Sequence, residues 1–304
     1  TIAASGTLGI LIPPSIMLVI MADLLSISVG TLFLAAVIPG FLLAFIYTVY
    51  IYLRTKFNPK LAPPLPDGLG PKTKSELWIM IFKSFIPPIF LIMCVLGSIF
   101  AGIATPTEAA AVGALGSIIL AFFNKRLTKA VIKSVTERSA LTCAMIFGIF
   151  IGATAFSYVF RSLGGDDLIH HFVDSMGLGS WGILFFMMGM VFLLGFFFDW
   201  VEITLIVLPL FAPILATLDF GNHLDPTMVI PWVAVLIAVN LQTSFLTPPF
   251  GFALFYLKGV APPSIKIQMI YKGIIPFVIL QLIGLILIIV FPELVLWLPT
   301  KLLD

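Results

Sequence analysis

The sequence predicts an all-α polytopic membrane protein built as an inverted repeat, with a re-entrant hairpin and proline-broken helices. Three observations carry this. Of 304 residues, 61% are hydrophobic and 10% charged, and the mean hydropathy is +1.18, values far from those of soluble globular domains. Several apolar runs reach the roughly 20 residues needed to cross a hydrocarbon core of about 30 Å. Two polar, proline-broken stretches, 5–15 and 240–251, stand at matching places in two halves of the chain.

In order, residues 1–28 form the first broken element, around Ser5-Gly-Thr-Leu-Gly-Ile-Leu-Ile-Pro-Pro-Ser15. The chain opens on Thr1 directly inside this element, so the reading expects a fragment with a further hairpin upstream. Residues 29–53 make a full span containing Pro39-Gly40, and 54–76 a proline-rich basic loop. Residues 78–101 cross next, with an interruption expected at Pro87-Pro88. Thr105-Pro-Thr-Glu108 reads as an N-cap, a proline in the first turn and the reciprocal acid of a capping box, opening a helix to about residue 123. Residues 124–138 read as a basic connector lying at the membrane surface.

Residues 139–163 cross again and lead into 164–171, read as an acidic loop. There His170 and His171 are adjacent, point different ways on any helix, and read as surface residues. Residues 181–213 are too long for one helix and are split by Phe198-Asp-Trp-Val-Glu202, which gives a re-entrant hairpin. A second acidic loop, 219–225, precedes the second broken span, 228–257, and the last full span is 270–291. The expected organisation is therefore 1–28 as a broken element, 29–138 as scaffold and arm spans with basic cytoplasmic loops, and 139–304 as the second inverted repeat. Cys94 and Cys143 lie in apolar runs and read as packing residues. No metal-ligand spacing, cofactor signature or nucleic-acid partner is expected.

Charge placement sets the topology. Segments 54–76, 124–138 and 258–272 hold 5, 5 and 3 of the 16 Lys and Arg residues, 13 in all, and the positive-inside rule makes their common face cytoplasmic. Most acids collect on the other face. Trp78, Trp181, Trp232 and Trp297 fall near the predicted interfaces, as an aromatic belt would place them. Counting crossings between the two broken spans makes one pass outward and the other inward, which is an inverted repeat.

The repeat is also visible in spacing. Pro13-Pro14 precede Pro248-Pro249 by 235 residues, and Pro39 precedes Pro276 by 237. Each proline lacks an N–H, so carbonyls one turn earlier lose their helical partners. In hydrocarbon such groups cost several kcal/mol unless they line a cavity or an ion site. A buried proline kink is the plainer alternative for one break. Two breaks with matching flanks point instead to a secondary transporter with its site at the repeat interface.

Asp199 and Glu202 are the acids expected inside the membrane, three residues apart and so on one helical face; a tip that reaches water or pairs with Thr204 is the alternative. A hard cation such as sodium wants five or six oxygens, from unwound carbonyls, hydroxyls and a carboxylate. Asn240, Thr243 and Thr247 with Asp199 are candidates for one sodium site. Ser5, Gly6, Thr7 and Gly9 are candidates for its pseudo-symmetric mate.

Four ordered motifs carry a resemblance: Gly6-Thr-Leu-Gly-Ile-Leu-Ile-Pro-Pro-Ser15, Gly102-Ile-Ala-Thr-Pro-Thr-Glu-Ala-Ala-Ala111, the Asp199 hairpin ending in Pro209-Leu-Phe-Ala-Pro213, and residues 240–251. Over essentially its whole length the chain resembles the C-terminal two thirds of the large membrane (M) subunit of a tripartite ATP-independent periplasmic (TRAP) transporter. Residues 198–204 and 240–255 resemble the branch labelled mannitol or chloroaromatic, some of whose members handle 2-oxo acids or lactate. The resemblance implies an elevator-type, sodium-driven carrier of organic acids in the bacterial inner membrane. Its implied partners are a small membrane (Q) subunit and a periplasmic binding protein. It also implies a carboxylate held near half-helix N-termini, with Pro14, Ser15, Glu202, Ser244, Pro248, Pro249 and Gly251 facing the substrate. The family's first hairpin, with its Gly-Ser-Ser signature, has no counterpart in this sequence. Three rivals are weighed: a stand-alone sodium-coupled carboxylate carrier, an intramembrane aspartyl protease, which needs a second transmembrane Asp that the sequence does not supply, and a purely structural membrane subunit, which leaves both broken spans without a reason.

Overall fold

The computed structural model describes residues 1–63, 70–71, 73–175, 177–247, 251–262 and 264–303. Among these the regular structure is helical, with no strand: α1 (Ile2–Leu11), α2 (Ile16–Leu24), α3 (Val29–Phe57), α4 (Lys74–Phe100), α5 (Pro106–Phe123), α6 (Lys129–Ser162), α7 (Gly165–Ser175), α8 (Ser180–Leu194), α9 (Trp200–Leu215), α10 (Val229–Phe245), α11 (Phe252–Val260), α12 (Ile267–Val290) and α13 (Glu293–Leu303). Helices satisfy every backbone group within their own segment, which is what an apolar sequence in hydrocarbon requires. Seven segments among the described residues are long and apolar enough to cross a membrane. The chain divides into two compact units, Thr1–Tyr47 with Ala144–Asp304, and Thr48–Cys143.

The smaller unit is built on the α4–α5 hairpin. Its glycines set the approach of the two helices: a Cβ at Gly116 would lie 2.3 Å from Leu91 Cδ1, and one at Gly113 would lie 3.1 Å from Val95 Cγ2. At the start of α5, Thr105 N–H donates to Glu108 Oε2 at 2.8 Å while Glu108 N–H donates to Thr105 Oγ1 at 3.4 Å, the expected capping box. Phe82, Phe85, Phe90, Phe122 and Phe123 are exposed, as suits helices solvated by lipid. The interruption expected at Pro87-Pro88 is not there, because α4 runs through both prolines. Each ring fits a helical φ, though it removes its own N–H and crowds the carbonyl four residues earlier, at Lys83 and Ser84, and the ladder on either side carries the helix through.

The larger unit is organised around α10, which is buried on nearly all sides, as expected of a helix that is apolar all round. Helices α1, α2, α8, α9, α11, α12 and α13 all pack on it. Beside it α2 packs on α9, where Ala153, Val201 and Leu205 form a buried cluster with Ile20, Leu24 and Trp200 around it. The tryptophans differ in burial. Trp78 and Trp297 are more than half exposed, but Trp232 is wholly buried, packed edge-on against Trp181, Phe220 and His223.

Proline governs the local chemistry in a consistent way. A proline leaves the carbonyl four residues earlier without its helical donor, and three such carbonyls in the larger unit are taken up by side chains. The Ile10 carbonyl, freed by Pro14, accepts from Ser15 Oγ. The Pro209 carbonyl, freed by Pro213, accepts from Arg161 Nη2 at 3.0 Å. The Ile288 carbonyl, freed by Pro292, accepts from Trp232 Nε1 at 3.1 Å. Next to it the Ile289 carbonyl meets His223 Nε2 at 2.9 Å.

Two further expectations are corrected. Residues 129–138 are not a separate surface connector but the first turns of α6, a 34-residue helix about 51 Å long at 1.5 Å per residue. That length exceeds the apolar core, so the basic turns extend beyond it. Residues 165–171 lie in α7 rather than a loop, since acidic residues in a first turn complement the helix dipole.

Candidate functional site

Both broken elements end a helix, turn, and begin another. In the first, α1 stops at Leu11 because Pro13 and Pro14 follow, and Ser15 caps α2 by accepting from Leu18 N–H at 3.4 Å. Ser15 is buried, so one side chain both covers the carbonyl left by α1 and opens α2. In the second, α10 stops at Phe245 and α11 begins at Phe252. Pro248 and Pro249 lie outside the described residues. Gly251 donates its N–H to the Thr247 carbonyl at 3.2 Å, and a Cβ there would come within 2.6 Å of the Phe245 carbonyl oxygen. The turn therefore needs glycine at this position.

The polar residues of α10 do not unwind as the sequence suggested. Residues 240–244 are helical and buried, and their hydroxyls bend back onto the helix. Thr243 Oγ1 donates to Val239 O at 3.0 Å, Ser244 Oγ to Leu241 O at 2.8 Å and Thr247 Oγ1 to Thr243 O at 2.8 Å. Hydroxyls held this way keep their lone pairs for a ligand. Asn240 Nδ2 reaches across to Met188 O of α8 at 2.7 Å. Ser244 lies against the C-terminal end of α8, where a Cβ at Gly195 would fall 2.0 Å from Ser244 Oγ.

The α8–α9 break carries the acids. Asp199 is the N-cap of α9 and accepts from Trp200 N–H at 2.8 Å. With Glu202, Phe197, Phe198 and Tyr256 it lines a cleft of about 280 Å³. Glu202 also borders an apolar pocket with Leu194, Phe198, Ile203, Ile206 and Val207, and its Oε2 is buried without a hydrogen-bond partner among the described residues, as is Thr204 Oγ1. Asp199 and Glu202 thus share one cleft, while the hydrogen bond of Asp199 goes to its own helix rather than to α10. Among the first-copy candidates, Ser5, Gly6 and Gly9 lie on an exposed face of α1, with open space where a Cβ would stand at either glycine. Thr7 is buried and accepts from Gln242 Nε2 at 3.3 Å.

The whole of 1–294 matches the family model described as the DctM component of the tripartite ATP-independent periplasmic transporter. The chain belongs to the DctM family. The chain is 32% identical over 298 residues to the C4-dicarboxylate TRAP transporter large permease protein DctM of Pseudomonas aeruginosa, covering 97% of this chain and 65% of that protein. It is 29% identical over 304 residues to the sialic acid TRAP transporter permease protein SiaT of Haemophilus influenzae, covering 99% of this chain and 46% of that protein. It is 26% identical over 295 residues to the ectoine TRAP transporter large permease protein TeaC of Halomonas elongata, covering 97% of this chain and 65% of that protein. The chain thus spans about two thirds or less of these relatives. DctM membership, with the seven apolar segments, makes the chain a multi-pass inner-membrane protein of a family whose members are named as transporter permeases rather than enzymes.

Two residues at the site escaped the sequence assignment. Tyr256 of α11 lines the cleft of Asp199 and Glu202, and nothing in its apolar surroundings marks it. For Gln242 a signal existed that could have found it, because it stands 235 residues from Thr7, the spacing of the two proline pairs.

Proposed function

We propose that the chain is the large membrane subunit of a binding-protein-dependent TRAP transporter and drives uptake of a small organic acid with an inward sodium gradient. The supporting observation is the reciprocal arrangement of two broken helices, α1–α2 and α10–α11, within one compact unit of a chain that belongs to the DctM family. Relatives named for C4-dicarboxylate and sialic acid transport support a carboxylate as the substrate class.

On this reading Asp199, Asn240, Thr243 and Thr247 serve one sodium ion, and Ser5, Gly6, Thr7 and Gly9 the second. A carboxylate is favoured near the N-termini of α2 and α11, where unpaired N–H groups and the helix dipole attract anions. Pro14, Ser15, Glu202, Ser244 and Gly251 are the residues proposed to face the substrate, together with Pro248 and Pro249, which lie outside the described residues. The motion is of elevator type, and the partners are a small membrane subunit and a periplasmic binding protein.

The test is uptake into liposomes holding the complete transporter, with a dicarboxylate and a sialic acid as probes, with and without binding protein and sodium gradient. Uptake that needs both, and that falls at least about tenfold in Asp199→Asn or Asn240→Ala, supports the proposal. Uptake without binding protein identifies a stand-alone carrier instead, and sodium-independent uptake refutes the ion assignments.

A further inference from the structure

Thr7 and Gln242 occupy equivalent positions in the two repeats. They are 235 residues apart, as are Pro13 and Pro248, and Pro14 and Pro249. They also touch: Gln242 Nε2 donates to Thr7 Oγ1 at 3.3 Å. In any two-fold arrangement, contacts come in reciprocal pairs, and a residue that meets its own mate lies on the axis. The surrounding contacts are reciprocal in this sense, for α1 touches α11 and α10 touches α2.

A second pair of repeat mates behaves the same way. Helices α3 and α12 carry Pro39 and Pro276, 237 residues apart. They meet where the rings of Tyr47 and Phe277 stand edge-on at 5.3 Å and where a Cβ at Gly284 would lie 2.4 Å from Leu43 Cδ2. Those separations, 277 − 47 = 230 and 284 − 43 = 241, bracket 237, so α3 and α12 also cross at matched positions.

The environment of the first pair is demanding. Thr7 and Gln242 are 4% and 0% exposed. Thr7 Oγ1 spends its proton on Ala4 O at 3.0 Å and offers Gln242 a lone pair. Gln242 Oε1 is buried with no partner among the described residues, so the bond to Thr7 is the contact that fixes the orientation of this amide. Removing Thr7 leaves the Gln242 amide stranded in the core, and removing Gln242 breaks the one side-chain bond that joins the two helices at this point while Thr7 keeps its bond to Ala4 O.

We infer that the Thr7–Gln242 hydrogen bond lies on the pseudo-two-fold axis of the larger unit and is the positioning contact that sets the register of α1 against α10. Gln242 needs no contact with an ion or the substrate for this role, and Thr7, assigned above to the second sodium ion, turns one lone pair of its hydroxyl to Gln242. The bond fixes how Ser5, Gly6 and Gly9 on one helix stand relative to Asn240, Thr243 and Ser244 on the other. The placement on the axis follows from geometry alone, and only the transport readout rests on the function proposed above.

An axis makes a distinctive demand: exchanging the two residues must reproduce the contact in mirrored order. The experiment compares Thr7→Val, Gln242→Leu, Thr7→Ser and the exchanged double variant T7Q/Q242T, in the complete transporter in liposomes and, for unfolding, in detergent. Each apolar single variant breaks the buried contact between the two helices and raises the sodium concentration for half-maximal uptake about tenfold. Thr7→Ser keeps the hydroxyl and stays within about threefold of wild type, and so does the exchanged pair. An exchanged pair no better than the worse single variant overturns the inference, as do single variants with unaltered sodium dependence. If wild-type uptake proves indifferent to sodium, the sodium-coupled reading fails and thermal unfolding decides the axis. Recovery of the midpoint by the exchange then upholds it, and a midpoint as low as the single variants' overturns it.

Discussion

Replacing Gly195 with alanine tests the closest contact between the hairpin and the second broken helix. Gly195 ends α8 with φ −64° and ψ −8°, a conformation any residue adopts, so the cost of Gly195→Ala is steric rather than torsional. The new Cβ would stand 2.0 Å from Ser244 Oγ and 2.4 Å from Ser244 Cβ. The hydroxyl rotates away cheaply, but Ser244 Cβ is fixed by the backbone of α10. Ordinary contact begins near 3.4 Å, so α8 and α10 must part by 3.4 − 2.4 = 1.0 Å. Overpacking of this kind costs about 1–3 kcal/mol. The alanine recovers about 0.4–1 kcal/mol through the unfolded chain, for a net loss near 1–2 kcal/mol. Unfolding in detergent, followed by circular dichroism, measures it. Ser244→Ala should not relieve the loss, because it keeps the clashing Cβ, whereas Ser244→Gly should relieve most of it after allowance for the helix propensity of glycine, about 1 kcal/mol. A Gly195→Ala protein as stable as wild type would refute the contact.

Other expectations follow from the same geometry. Ser15→Ala strips the donor from the Ile10 carbonyl and the cap from α2 and should lower stability by about 1–3 kcal/mol, with Ser15→Thr restoring most of it in a thermal melt. Trp232→Phe keeps the aromatic packing but strands the Ile288 carbonyl, with a similar cost of about 1–3 kcal/mol; an unchanged melt would mean that carbonyl has another donor. In the loop before α10, hydrogen bonds from Thr227 Oγ1 and N–H hold the exposed Asp225 carboxyl below the usual carboxylate range. A depressed acid stabilises the fold above its unfolded pKa of about 3.9 and loses that contribution as pH falls through the lower folded value. Asp225→Asn should therefore melt lower than wild type at pH 7, with the gap closing below about pH 4.

How far the sequence spoke depended on whether a feature was local or relational. The capping box at Thr105 and Glu108 and the helix boundary at Asp199 were legible, because caps and breaks are written in adjacent residues. The two broken elements were legible because proline acts on its own turn. What proline does not reveal is who answers the carbonyl it frees. Neither Arg161 on Pro209 nor Trp232 on Ile288 has any local signature, since these partners are brought together by packing across 48 and 56 residues. Pro87-Pro88 misled for the converse reason: the prolines are real, but no turn is needed there and the flanking ladder closes over them. At the candidate site the acids and hydroxyls were found, whereas their hydrogen-bond directions were not. Asn240 answers to Met188 on α8, and Thr243 and Ser244 answer to their own helix.

The two repeats differ in length, and the place of the difference matters. From Pro14 to Pro39 is 25 residues and from Pro249 to Pro276 is 27, yet α2 and α11 are each nine residues long. The connection before α3, 25–28, has four residues, and that before α12, 261–266, has six. Inserted inside a helix, two residues would swing every later side chain through about 200° and carry it about 3 Å along the axis. α12 would then turn a different flank toward α3 than the one now carrying Phe277 and Gly284. Kept in a connection, the same two residues act as slack, so one half can lengthen while the rotational phase of the helix behind it stays locked to its mate.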